Sequence, residues 1–274
     1  MTRIGVLGKV GRIIDCVAAG DVGVRELAEM TGEPRGSLYR IVGDLQELGI
    51  VEPGLKPGRY RLGLRLFQLG SIVSARFHDE REAALAAMDR LHAATGQTVF
   101  LCVRREYEAL CIERIDGLLV QEMLLRVGGT LPLHVGAVGR LMFAHEPEEF
   151  FADYIANVEL SSYTDATPNT NEWLSAELAH IRADGYAVGD GDVIVGISGV
   201  SAPVYDFDGR LRAVLAMSGP RPMILGQKTS ATRTQVVNAA REISAALGAP
   251  PSDNGPKSSP DGAIAAAPRA GRSS

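Results

Sequence analysis

The stretch Thr31–Val51, TGEPRGSLYRIVGDLQELGIV, constrains this chain more than any other. Gly32 supplies a turn and Pro34 suits the first position of a new helix, so one helical segment ends and another begins within four residues. The new segment, about Arg35 to Leu48, carries Leu38, Ile41, Val42, Leu45 and Leu48 on one face and stops at Gly49. Upstream, Val6, Leu7, Val10, Ile13, Ile14 and Val17 recur at three- and four-residue spacing and predict a first helix ending near Gly20. A second runs from Val24 to Met30, with Val24, Leu27 and Ala28 inward; Gly23 at its N-cap and Glu26 three residues on make half a capping box. Downstream, Ile50-Val51 and Tyr60/Leu62 flank a Pro/Gly-rich loop, a short hairpin signal. Three helices and a hairpin, with the second and third helices joined by a tight Gly-containing turn, predict a winged helix-turn-helix over residues 1–63.

Such a helix enters the DNA major groove with its early residues toward base edges, where Arg pairs with guanine and Ser bonds to bases or phosphates. Arg35, Gly36, Ser37, Tyr39 and Arg40 fall at the start of the third helix, off its apolar face, and Arg25 lies on the second. Lys56 and Arg59 sit at the hairpin tip, where a wing meets an adjacent phosphate strand. These eight are the candidate DNA-binding residues. The competing reading is a solvated charged face; turn spacing, third-helix position and basic wing together favour DNA.

Charge is uneven in the same sense. The net charge is −5, but residues 1–76 carry net +3, residues 77–250 net −9, and the remainder net +1. A mildly basic front on an acidic body fits a DNA-reading domain joined to a sensor. The length of 274 residues suggests two domains, and 46% hydrophobic with 22% charged residues suits a globular protein with a sizeable core. No run of eighteen apolar residues predicts a membrane span, and the N-terminus has no signal-peptide pattern, so a cytoplasmic location is expected. Cys16, Cys102 and Cys111 lack metal-ligand or C-x-x-C spacing and read as buried thiols.

Residues 64–77 are apolar-periodic and predict a linker helix; another follows over about 78–94. The period then changes to strands at 98–105, 108–115 and 121–127, helices at 136–145, 147–156 and 171–184, strands at 192–206 and 210–219, and a last helix at 229–247. This order predicts a second, α+β domain over 78–248. Residues 249–274 are rich in Pro, Ser, Gly and Ala and predict a disordered tail.

The segment ELAEMTGEPRGSLYRIVGDLQELGIVEPGLKPGRYRLGLRLFQLG resembles the helix-turn-helix, wing and linker of the isocitrate lyase regulator (IclR) family of bacterial transcription factors. TGQTVFLCVRR, VGGTLPLHVGAVGRLMFA, IRADGYAV and SAPVYDFDGRLRAVLAMSGP fall in that family's order in the second domain, so the resemblance covers about residues 4–248. It implies a two-domain fold: an N-terminal winged helix-turn-helix, mainly α, and a C-terminal α+β, GAF-like effector-binding domain. It implies a homodimer or dimer of dimers on a roughly palindromic double-stranded DNA operator, and a small-molecule metabolite effector, a carboxylate or an aromatic acid. By that analogy Arg35, Ser37 and Arg40 face the groove and backbone. The chain departs from the family at Gly36 and Gly43, inside the recognition helix, where each costs about 1 kcal/mol relative to Ala. It departs again at Glu33, which puts a negative charge near the expected phosphates.

Position-by-position matching implies an effector pocket with Val120, Met123, Ala137 and Val138 as an apolar wall and Asp190 and Ser218 as its polar side. Gly199 and Ala216 stand where a well-studied member has Cys and Ser. Fewer polar partners imply a bulkier or less polar effector than a two- or three-carbon keto acid, or one held by backbone N–H groups. No catalytic residue, cofactor or metal is expected. GISGV, 196–200, lacks the last glycine of a nucleophile elbow, and the five histidines are scattered, with His134 fitted for hydrogen bonding. The alternative function is a metabolite sensor acting through protein contacts without specific DNA binding. The expected function is a ligand-responsive, DNA-binding regulator of a metabolic operon, a repressor first and an activator second.

Overall fold

The computed structural model describes residues 5–120, 125–226 and 229–250. Contacts divide the chain into two units, parting between Arg76 and Phe77, and the linker helix goes with the first.

In the first unit α1 (Val6–Ala18), α2 (Val24–Thr31) and α3 (Arg35–Glu47) pack around Ile13, Val17, Leu27, Leu38, Ile41, Val42 and Leu45. The Gly23 N–H donates to Glu26 Oε2 at 2.8 Å, which starts α2. Gly32 stops it in the left-handed region at φ +71°, which glycine adopts without a Cβ penalty. Two expected core residues are not in the core: the α1 stripe narrows to Ile13 and Val17, and Val6 and Leu7 are exposed on the opening turn. Leu48 is also exposed, because α3 has ended by then and Leu48 is its C-cap.

The wing is a three-stranded sheet, with β3 (Arg59–Leu62) between β1 (Val22–Gly23) and β2 (Val51–Pro53). The two-residue β1 pairs through Val22↔Tyr60 and is too short to show a strand period in the sequence. After it come α4 (Leu64–Ser74) and a 3₁₀ turn at Ala75–Phe77; no residue of α4 is buried.

The second unit opens with α5 (His78–Thr95) and contains one antiparallel sheet of six strands. In chain order these are β4 (Thr98–Arg105), β5 (Glu108–Ile115), β6 (Thr130–Pro132), β7 (Ala187–Asp190), β8 (Ile197–Tyr205) and β9 (Leu211–Pro220), arranged β6-β5-β4-β9-β8-β7. Phe100, Cys102, Val214 and Ala216 face α6 (Gly136–Ala144), α7 (Glu148–Asn157) and α8 (Asn171–Asp184). Val99, Leu101, Leu215 and Met217 face α5 and α10 (Thr229–Ala246), with the short α9 (Arg221–Ile224) beside them.

Two strand expectations change. Of 121–127, residues 121–124 lie outside the described residues and 125–127 form no strand; the edge strand is β6. The run 192–206 holds only β8, because Gly191–Gly196 form a loop that turns back from β7, which was not anticipated. Residues 251–274 of the expected tail lie outside the described residues.

Two buried polar knots tie the α6 side together. His134 is fully buried; its Nε2–H donates to the Ser161 carbonyl at 3.1 Å, so its Nδ1 accepts the Tyr154 hydroxyl at 2.8 Å. Burial pushes the Tyr154 phenol up to about 12 and the His134 imidazole below its usual value. His145, with Nδ1 on Leu141 O and Nε2 on Tyr205 Oη, is also lowered by burial. The second knot is the ion pair of Arg140 and Asp192, both buried. Asp192 Oδ2 also accepts the Gly136 N–H at 3.0 Å, and Arg140 Nη2 donates to Val188 O at 2.9 Å, joining α6 to β7 and the following loop.

Both histidines stay neutral in the fold while the unfolded chain takes up protons near pH 6.5. Stability therefore falls as pH drops through 6.5 and levels off below the folded pKa values. Urea melts at pH 8 and 5.5 should show this loss, and the His134→Gln/His145→Gln variant should be less stable at pH 8 but flatter with pH. Arg140→Met leaves Asp192 charged and buried, which should cost about 3–5 kcal/mol in the same melts; adding Asp192→Leu should recover part of it.

Candidate functional sites: a nucleic-acid face and an effector cavity

Helix α3 buries Leu38, Ile41, Val42 and Leu45, which turns Arg35, Gly36, Tyr39 and Arg40 outward, with Ser37 half-buried beside them. Among the described residues Arg35, Arg40 and Lys56 have no ion-pair partner. α3 runs unbroken through Gly36 and Gly43, and a Cβ at either would meet nothing within 4 Å, so packing within the chain does not demand glycine there.

The other candidate cations are engaged. Arg59 donates to Asp21 O at 2.9 Å and to Glu26 Oε1 at 3.1 Å, so its guanidinium braces the wing against the start of α2. Arg25 pairs with Glu29 at 3.2 Å on the surface. Lys56 stays exposed at the wing tip, where Gly54 N–H bonds Arg59 O at 2.8 Å and closes the turn. Glu33 is only 10% exposed and is held by Lys9 at 2.7 Å and Arg12 at 3.3 Å, so the charge expected near the phosphates is neutralised from α1.

In the second unit a cavity of about 70 Å³ lies on the α6 side of the sheet. Of the expected pocket residues, Ala137, Val138, Gly199, Ala216 and Ser218 line it. Val120 packs against the neighbouring core instead, and Met123 lies outside the described residues. Asp190 does not line the cavity: Arg221 takes both its oxygens at 2.8 and 2.9 Å, and Ser198 Oγ donates to Oδ1 at 2.8 Å. Burial alone would raise the Asp190 carboxyl, but Arg221 and Ser198 outweigh it and hold the pKa below its ordinary value.

Phe100, Leu125, Leu131, Val135, Gly136, Gly189, Asp192, Val193, Ile194, Ile197 and Ser198 also line the cavity and were not anticipated. The strand period could have found Phe100, whose register partner on β9 is Ala216. Gly189 and Gly199 make room: a Cβ on Gly189 would stand 2.7 Å from Asp192 Oδ1, and one on Gly199 2.5 Å from Ser218 Oγ. Among the described residues no lysine or arginine lines the cavity, and the lining carboxylate, Asp192, is already paired with Arg140. What remains for a ligand is an apolar wall, the Ser218 hydroxyl, and the start of α6. The first N–H groups of a helix have no acceptor within it, and Ala137 and Val138 stand there on the cavity wall. Among the described residues no cluster of His, Cys, Asp or Glu is arranged to hold a metal, and no helix is long and apolar enough to cross a membrane.

Two family profiles match: the IclR helix-turn-helix domain over residues 6–54, and the bacterial transcriptional regulator IclR C-terminal domain over residues 74–245. The HTH-type transcriptional regulator XynR of Escherichia coli is 28% identical over 232 residues, covering 85% of this chain and 92% of the relative. The transcriptional repressor IclR of the same organism is 26% identical over 234 residues, 84% of each chain. Among solved structures, Thermotoga maritima IclR superposes with a TM-score of 0.71 at 31% identity, covering 90% of this chain and all of that one. An IclR homologue from Microbacterium hydrocarbonoxydans, complexed with 4-hydroxybenzoate, gives 0.73 at 26% identity, covering 88% and 98%. These relatives regulate transcription and are not enzymes. A helix-turn-helix unit with an outward basic helix, an α+β unit with an apolar cavity, and both family profiles in register agree: this chain belongs to the IclR family of bacterial transcriptional regulators.

Proposed function

We propose that this chain is a cytoplasmic, ligand-responsive regulator, most simply a repressor, that binds a roughly palindromic operator as a dimer or dimer of dimers. The observation that carries the reading is the outward face of α3, where Arg35 and Arg40 have no ion-pair partner among the described residues while the opposite face is core. Arg35, at the first turn, is the base reader; Arg40 and the wing-tip Lys56 hold phosphate, with Ser37 and Tyr39 between them. Gly36 lets the duplex approach the first turn. Arg59 braces the wing against α2, and Arg25 pairs with Glu29 on the surface of α2. The alternative, a sensor without specific DNA binding, is not favoured, because the match takes in the helix-turn-helix itself.

Dimerisation is supported by α4. Leu64, Phe67 and Ile72 are 70–75% exposed and Leu69 and Val73 are exposed on its other sides. A helix apolar all round needs a cover, and a second copy of the same helix supplies one.

The effector is a small carboxylate or, better suited to these walls, an aromatic acid. Its ring would pack on Phe100, Val138 and Ala216, with its polar groups on Ser218 and the N–H groups of Ala137 and Val138. A relative that binds 4-hydroxybenzoate supports this class.

Gel shifts with the DNA upstream of the protein's own gene test the reading; no retardation at low salt, with or without candidate acids, overturns it. Arg40→Ala should weaken all duplexes alike and lower the salt slope by about 0.9 per protomer, whereas Arg35→Ala should cost about 1–3 kcal/mol on the operator and relax base preference. Ala216→Leu should fill the cavity, abolish binding of aromatic acids in calorimetry, and leave ligand-free operator binding intact.

A further inference from the structure

The first unit is net positive, yet most of its cations near the DNA face are already spent on carboxylates. Arg59 is on Glu26, Arg25 on Glu29 and Arg61 on Glu52. The pair without an evident stabilising task in the wing is at Glu33. This residue precedes Pro34, the N-cap of α3, so its carboxylate stands at the end of α3 that enters the groove. Its backbone is fixed: its N–H bonds Thr31 Oγ1 at 3.3 Å, and that hydroxyl donates to Leu27 O at 2.6 Å. Its two partners, Lys9 and Arg12, lie one turn apart on α1 and are 36% and 41% exposed, so both still reach solvent.

We propose that Glu33 competes with DNA phosphate for Lys9 and Arg12 and thereby lowers the sequence-independent affinity of this regulator. Two cations beside the groove-entering end of a recognition helix would each neutralise a phosphate and release a counterion, a contribution every duplex receives equally. A carboxylate that holds both removes this contribution and leaves Arg35, Arg40 and Lys56 as cations of the face without an ion pair among the described residues. The ratio of operator to random-sequence affinity stays with the base contacts, because the shared term enters both affinities alike. Glu33 thus sets how tightly and how salt-sensitively the unit holds any duplex, without touching a base. The inference rests on the DNA-binding reading of this unit.

The test is fluorescence anisotropy of the full chain on the upstream duplex and on a random-sequence duplex, from 50 to 200 mM NaCl. Glu33→Gln should steepen the log–log salt slope on both by about 2 per protomer, so that for each bound protomer the variant loses about tenfold more affinity than wild type across that range. It should also bind both duplexes more tightly at 50 mM, by a similar factor, and leave the operator-to-random ratio unchanged. The triple variant Lys9→Gln/Arg12→Gln/Glu33→Gln should return to the wild-type slope. An unchanged slope in Glu33→Gln, or a steep slope that persists in the triple variant, overturns the proposal. A purely structural Glu33 would weaken both duplexes without steepening the slope, which overturns it as well. If Glu33→Gln lacks native circular dichroism, Glu33→Leu carries the same expectation. Wild-type protein that binds no upstream DNA refutes the DNA reading itself, an outcome separate from wild-type binding with an unresponsive slope.

Discussion

The pairing of β4 with β9 at the centre of the sheet holds the second unit in place. Thr98↔Ser218 to Cys102↔Val214 fixes one register, and alternation along both strands assigns every other residue to each core. A slip of one residue would exchange Phe100 and Ala216 with Leu101 and Leu215 and empty both cores together. The same register sets the cavity: Phe100 lies opposite Ala216, and Ser218 lies opposite Gly199 on β8. Ser201 Oγ then reaches the Ala137 carbonyl at 2.9 Å, and Asp192 caps the start of α6, so the cavity wall is welded to the sheet by polar contacts as well as packing.

The first unit depends less on a large core than on which charges it leaves unspent. Its apolar cluster rests on few residues, and its wing is three short strands braced by Arg59 on Asp21 and Glu26. Sequence composition counts such charges as if they were equal. Geometry divides them into cations paired with carboxylates, such as Arg59 on Glu26, and cations that face outward without an ion pair among the described residues, such as Arg35 and Arg40.

Periodic segments with capping residues were legible from the residues alone. α3 was recognisable from Gly32, Pro34 and the Leu38/Ile41/Leu45 spacing, and β4 from its short apolar run closed by two arginines. What escaped were elements too short to have a period, such as β1, and the loop that separates β7 from β8 inside one apolar run. The family resemblance pointed to Ala137, Val138, Gly199, Ala216 and Ser218, all on the cavity wall. It could not show that Asp190 turns to Arg221, since a carboxylate's partner is set by a residue 31 positions away. Nor could the sequence show that Arg59, near the wing tip, has Glu26 beside it, a partner 33 positions away.

Where the cavity sits also limits how it can speak to the rest of the chain. Its walls belong to the face of the sheet that packs α6, α7 and α8, whereas α5, the helix covalently continuous with the linker, packs on the opposite face. Ala84, Ala87, Met88 and Leu91 of α5 rest on Val99, Leu101, Leu215 and Met217, the immediate chain neighbours of Phe100 and Ala216. A ligand on the cavity wall therefore meets α5 across the thickness of β4 and β9, with no side chain spanning both faces. Close-packed strands shift as units rather than deform locally. The elements that touch both the cavity wall and the core beneath α5 are therefore β4, β9 and β8, and Val99, Leu215 and Val200 lie on the α5 side of these strands without lining the cavity.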